Sequence, residues 1–172
     1  MKTKLILILL IGACQILLAS SYGYINKDIK NKDFTLLQGV KVKIIKNTKN
    51  KTKVMLKAYR NNKNELFYDK TFNLKIGFSS LSNTKKNKHK FLLKTEDISI
   101  DQEEVWEEYE ELYFESCSQC HAAMEAKEHS MLEWEGIFDS MKEQAQFDEE
   151  EEQKILYYLK SHANDGFIKY KE

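Results

Sequence analysis

The 172-residue chain has no proline, a single arginine (Arg60), three cysteines and six glycines, and its 27 basic and 27 acidic side chains leave no net charge. Without proline there is no proline-rich linker. A composition that is 42 % hydrophobic, 12 % aromatic and 31 % charged excludes wholesale disorder, and the length excludes a large multidomain enzyme. Long apolar runs are lacking too: the one stretch, residues 5–18, is short for a spanning helix, which needs about 20 residues.

That run follows Lys2 and Lys4 and has the length of a secretory h-region. Cleavage near Ala19-Ser20-Ser21 would make residues 1–21 a signal peptide and leave a soluble periplasmic body. Ile11-Gly12-Ala13-Cys14 also resembles a lipobox, although lipidation at Cys14 would keep the apolar residues 15–18 on the mature chain; an uncleaved anchor is the third alternative. Each places Cys117 and Cys120 outside the cytoplasm, where thiols become disulfides, metal ligands or cofactor attachments.

The neutral total conceals a split near residue 95. Residues 24–95 hold 19 basic and 4 acidic side chains, whereas 96–172 hold 6 basic and 23 acidic, a boundary and an electrostatic statement about partners. With one arginine among the basic residues, codon bias accounts for part of the lysine excess and discounts the basic half.

Within 24–95, Val40, Val42 and Ile44 alternate with lysines, as do Val54, Leu56 and Ala58, which predicts half-buried strands separated by asparagine-rich turns. Further strands are expected over 66–72, 74–78 and 90–93, with a mobile loop over 79–90. After residue 95 the period becomes helical. Asp101 caps a helix carrying Val105, Tyr109, Leu112 and Tyr113 that runs to the vicinity of Cys117; a second holds Trp134, Ile137, Phe138 and Met141 on one face; a third starts at Asp148 and stops at Gly166.

Cys117-Ser118-Gln119-Cys120-His121 has the C-x-x-C-H form by which c-type haem is covalently attached. At helical spacing Cys117 lies beside Cys120 and His121, so two thiols meet the vinyl groups while the imidazole reaches the iron. The other readings of the pair are a thioredoxin-like redox site, which expects a preceding strand, a zinc site completed by His129 or His162, and a plain disulfide. The sixth iron ligand is assigned to Met141, on the apolar face of the Trp134 helix; Met124 and Met131, or His129 and His162, are the alternatives. Trp134 is read as an aromatic packing against the haem.

The stretch from Asp101 to Gly166 resembles a class I cytochrome c domain with one haem, and more closely the C-terminal haem domain of the multihaem cytochromes that deliver electrons to periplasmic trimethylamine N-oxide reductases. The residues carrying the likeness are the aromatic-rich helix into Cys117, Cys120 and His121, then Trp134 with Ser140-Met141, then Ile155, Tyr158 and Leu159. The resemblance implies one covalent haem c, His121 as proximal and Met141 as distal ligand. It also implies a molybdenum reductase and a membrane quinol-oxidising cytochrome as redox partners. Such domains often have a proline after the motif whose carbonyl orients the proximal histidine; this chain has none.

The fold class expected is therefore α+β: a small antiparallel β domain over 24–95 followed by an all-α class I-like cytochrome c domain over 96–172. The function expected is single-electron transfer by a carrier, not an enzyme, with a haem-based ligand sensor or small haem enzyme with a displaceable Met141 as the alternative. The acidic haem domain is expected to attract a basic docking face; the basic β domain is read either as that face, folded back on its neighbour, or as a contact for an anionic membrane, and export excludes nucleic acid as a partner.

Overall fold

The computed structural model describes residues 22–81 and 87–169. The expectations for residues 1–21, the signal peptide and Cys14 among them, lie outside the described residues. Among the described residues ten strands come first: β1 (Tyr22–Ile25), β2 (Ile29–Lys30), β3 (Phe34–Leu36), β4 (Lys41–Asn47), β5 (Lys51–Lys57), β6 (Tyr59–Arg60), β7 (Glu65–Phe67), β8 (Lys75–Ser79), β9 (Lys88–Lys94) and β10 (Ile98–Ser99). Three helices follow, α1 (Gln102–Cys117), α2 (Met131–Ala145) and α3 (Glu149–His162).

The strands form two antiparallel five-stranded sheets, ordered β10-β1-β4-β5-β9 and β2-β3-β8-β7-β6. In β5 and β9 the alternation is strict, with Thr52, Val54, Leu56, His89, Phe91 and Leu93 inward and the intervening residues, mostly lysine, outward. The strand expected over 66–72 stops at Phe67, because the Asp69 carboxylate accepts from the backbone of Thr71, Asn73 and Leu74 and turns the chain. Of the loop expected over 79–90, residues 88–90 belong to β9, and 82–86 lie outside the described residues.

Each helix begins on a side chain that satisfies its free backbone donors. Asp101 accepts from the amides of Glu103 and Glu104, while Ser130 with Glu133 and Asp148 with Glu151 form capping boxes. The last helix stops at His162, earlier than the Gly166 stop read from the sequence; the chain turns there through Ala163, whose carbonyl accepts from the Gly166 amide at 2.9 Å.

The expected fold class is corrected by this arrangement. Among the described residues the β part is two sheets of ten strands, where a small antiparallel sheet or open barrel was expected, and the helical portion is three helices that do not stand as a separate all-α cytochrome fold. The β10 strand, beyond the charge boundary, pairs with β1, and one hydrophobic core runs from the sheets into the helices. Gln38 donates to the Val105 carbonyl at 2.9 Å, Tyr157 donates to the Gln38 carbonyl at 3.0 Å, and Tyr24 donates to Gln102 at 2.7 Å. Lys160, buried, donates to the Asn73 carbonyl and pairs with Glu135. Charge segregation marks where secondary structure changes; it carries no information about which apolar faces meet.

Candidate functional site

The helix α1 ends at Cys117, and residues 118–120 form a turn that brings the chain back toward α2. A cavity of about 780 Å³ opens there, and Cys117, Cys120, His121, Trp134 and Met141 all line it. This volume lies within the roughly 300–1,000 Å³ typical of small-molecule and cofactor sites. Tyr113, Phe138, Phe147 and Leu159 supply the apolar wall.

The two cysteines are not joined to each other. Cys117 is half-buried, and burial pushes its thiol above the usual range; Cys120 is exposed. His121 is exposed, and its Nδ1 donates to the carbonyl of Ala122 at 2.9 Å. With Nδ1 donating there, Nε2 is the ring atom left to bind a metal. A backbone carbonyl one residue on thus stands where the resemblance expects a proline carbonyl.

The segment after the motif is held from both sides. From α1, the Tyr113 hydroxyl donates to the Met124 carbonyl at 2.8 Å; from α2, Trp134 Nε1 donates to the Ala126 carbonyl at 2.7 Å. Trp134, 1 % exposed, therefore both lines the cavity and anchors residues 122–128. The sequence reading missed Tyr113 as a site residue. Its position four residues before Cys117, on the same helical face, was the available signal.

Met141, half-buried on α2, lines the cavity, as does Met124, which stands three residues from His121 on the motif segment. Met131 is packed in the core and does not line the cavity. Neither histidine offered as an alternative ligand lines it. His129 stands edge-on to Trp134 with ring centroids 5.0 Å apart, and His162 is buried between Trp106 and Tyr158, its Nδ1 donating to the Tyr158 carbonyl at 3.0 Å. Among the described residues no group of three or more His, Cys, Asp or Glu converges to hold a metal ion.

The donor set fits a covalently held haem: two thiols, one imidazole with a free Nε2 and one thioether share a cavity with aromatic and aliphatic walls. No curated protein and no solved structure matches the chain. Residues 113–169, about a third of the chain, match the family model described as dihaem cytochrome c. The matched stretch begins at Tyr113, takes in the whole cavity, and supports a c-type cytochrome domain that binds haem c and transfers electrons, a carrier's role more than an enzyme's.

Proposed function

We propose that this protein is an exported cytochrome with one covalently bound haem c that carries single electrons to or from a periplasmic respiratory reductase. The observation that carries the reading is the meeting of Cys117, Cys120, His121, Trp134 and Met141 around one cavity. The family's description names two haems, but Cys117 to His121 is the single C-x-x-C-H sequence in these 172 residues, so one attachment site is proposed.

Cys117 and Cys120 would hold the haem through two thioether bonds, and His121, through Nε2, and Met141 would be its iron ligands. Bound there, haem supplies an iron centre that exchanges one electron with a partner. The chain's own residues do the rest. Ala122 holds the imidazole, Tyr113 and Trp134 hold the loop that presents it, and Tyr113, Phe138, Phe147 and Leu159 offer the macrocycle an apolar wall. With His121 and Met141 both holding the iron, transfer to a partner would be outer-sphere.

The acidic surface of α1 and the first turn of α3, where Glu149 to Glu152 follow one another, favours a basic docking face on the partner and an association rate that falls with salt. A molybdenum reductase of the trimethylamine N-oxide or sulfoxide type as acceptor, with a membrane quinol-oxidising cytochrome as donor, is the pairing proposed. The test is to mix the reduced protein with such a reductase and follow its reoxidation when the N-oxide is added. Reoxidation that depends on both reductase and substrate supports the pairing, and none contradicts it.

A further inference from the structure

Three neighbouring strands of the first sheet read KVKIIKN, KTKVMLK and KHKFLLK, with nine lysines and no carboxylate among them. Because Val42, Val54, Leu56, Phe91 and Leu93 turn inward to the core, the lysines fall on the outer face. The register sets them against each other: Lys57 opposite Lys88, Lys51 opposite Lys94 and Lys46 opposite Lys53. Like charges directly opposite destabilise a strand pair; Lys94 is relieved by Glu96, just past the end of β9, at 3.1 Å.

Large apolar side chains stand exposed among these ammonium groups. Leu92 is 59 % exposed, Tyr22 50 % and Ile45 46 %, and Lys41 Nζ lies 5.1 Å from the Tyr22 ring centre. A groove of about 780 Å³ is rimmed by Lys41, Lys43, Lys57 and Lys88, with Met55 and Tyr68 in its lining.

From this juxtaposition we propose that the outer face of β1, β4, β5 and β9 binds an anionic lipid surface, its lysines meeting headgroup phosphates and its exposed Leu92, Ile45 and Tyr22 reaching the acyl boundary. The chemistry selects lipid over an acidic protein. An acidic protein would answer the charge alone, whereas the exposed Leu92, Ile45 and Tyr22 among the ammonium groups suit a headgroup layer with an apolar interior beneath it. Juxtamembrane lysines attract anionic bilayers, and apolar side chains at the headgroup boundary add to that attraction. The proposal stands independently of the haem assignment, since none of these residues lines the cysteine cavity.

The test is co-sedimentation of the purified full chain with vesicles of phosphatidylcholine alone or mixed equally with phosphatidylglycerol. Sedimentation with the anionic vesicles only, reversed by added salt, is expected. The double variant Lys51→Glu, Lys57→Glu converts two opposed lysine pairs into ion pairs, so its thermal stability should hold or rise while its partition falls by about 25-fold, roughly fivefold per lysine. Lys30→Glu with Lys63→Glu makes the same change in net charge away from this face and should retain most of the binding. Absence of sedimentation with anionic vesicles, or equal loss in both double variants, overturns the proposal. Capture by soluble polyglutamate in place of vesicles also overturns it and assigns the face to an acidic protein.

Discussion

Gly39 and Trp106 interlock: a Cβ built on Gly39 would stand 2.1 Å from Cζ2 of the Trp106 ring, and the backbone there is left-handed, with φ at 79°. The loop between β3 and β4 thus lies flat on the indole of α1, and the contact joins the sheets to the helices that carry the cysteine motif. Gly39→Ala should destabilise the fold by about 2–4 kcal/mol, from overpacking and from the unfavourable φ. Chemical denaturation of both proteins checks this, and an unchanged midpoint would contradict the interlock.

Stability should fall on acidification because of His162. Burial among Trp106 and Tyr158 lowers its pKa from 6.5 to about 4. The folded protein holds the ring neutral while the unfolded chain protonates it, so this contribution is fully present above pH 6.5 and is lost as pH falls toward 4, by roughly 3 kcal/mol in all. Lowered in the same direction by burial, His89 adds to the slope. Melting curves of the parent and of His162→Phe between these limits should diverge, the variant showing the shallower dependence.

Replacing Met141 by Ala removes the proposed distal ligand. A half-buried methionine costs about 1 kcal/mol of packing, so the fold should survive. The ferrous haem-loaded variant should bind carbon monoxide rapidly, and its potential should fall from the range set by thioether ligation. If spectrum and potential are unchanged, Met124, the other thioether on the cavity, becomes the candidate.

Tyr113→Phe keeps the ring against Tyr158, whose centroid is 5.6 Å away, and removes only the hydroxyl that donates to the Met124 carbonyl. The expected cost is about 1 kcal/mol in denaturant midpoint, with faster amide exchange over residues 122–128. A variant with parental exchange there would show that Trp134 alone holds the segment.

Local signals were read well from sequence. Asp101 and Asp148 cap helices where expected, and the face bearing Trp134, Phe138 and Met141 does turn inward, because caps and 3.6-residue periodicity are local properties. The fold class was not, because the meeting of Gly39 with Trp106 and of Gln38 with Val105 joins residues some 67 positions apart and leaves no periodic trace. The partner of His121 was invisible for another reason: the Ala122 carbonyl is a backbone atom that every residue possesses, and only the turn after Cys117 aims it.

The central claim is tested most directly by expressing the protein in a host with cytochrome c maturation machinery, recording its oxidised and reduced visible spectra, and staining a denaturing gel for haem. The account predicts a low-spin spectrum with a weak long-wavelength sulfur-to-iron band and haem that stays on the denatured chain, lost when Cys117 and Cys120 are both changed to Ala. A colourless protein from that host would contradict it and return the two cysteines to thiol chemistry.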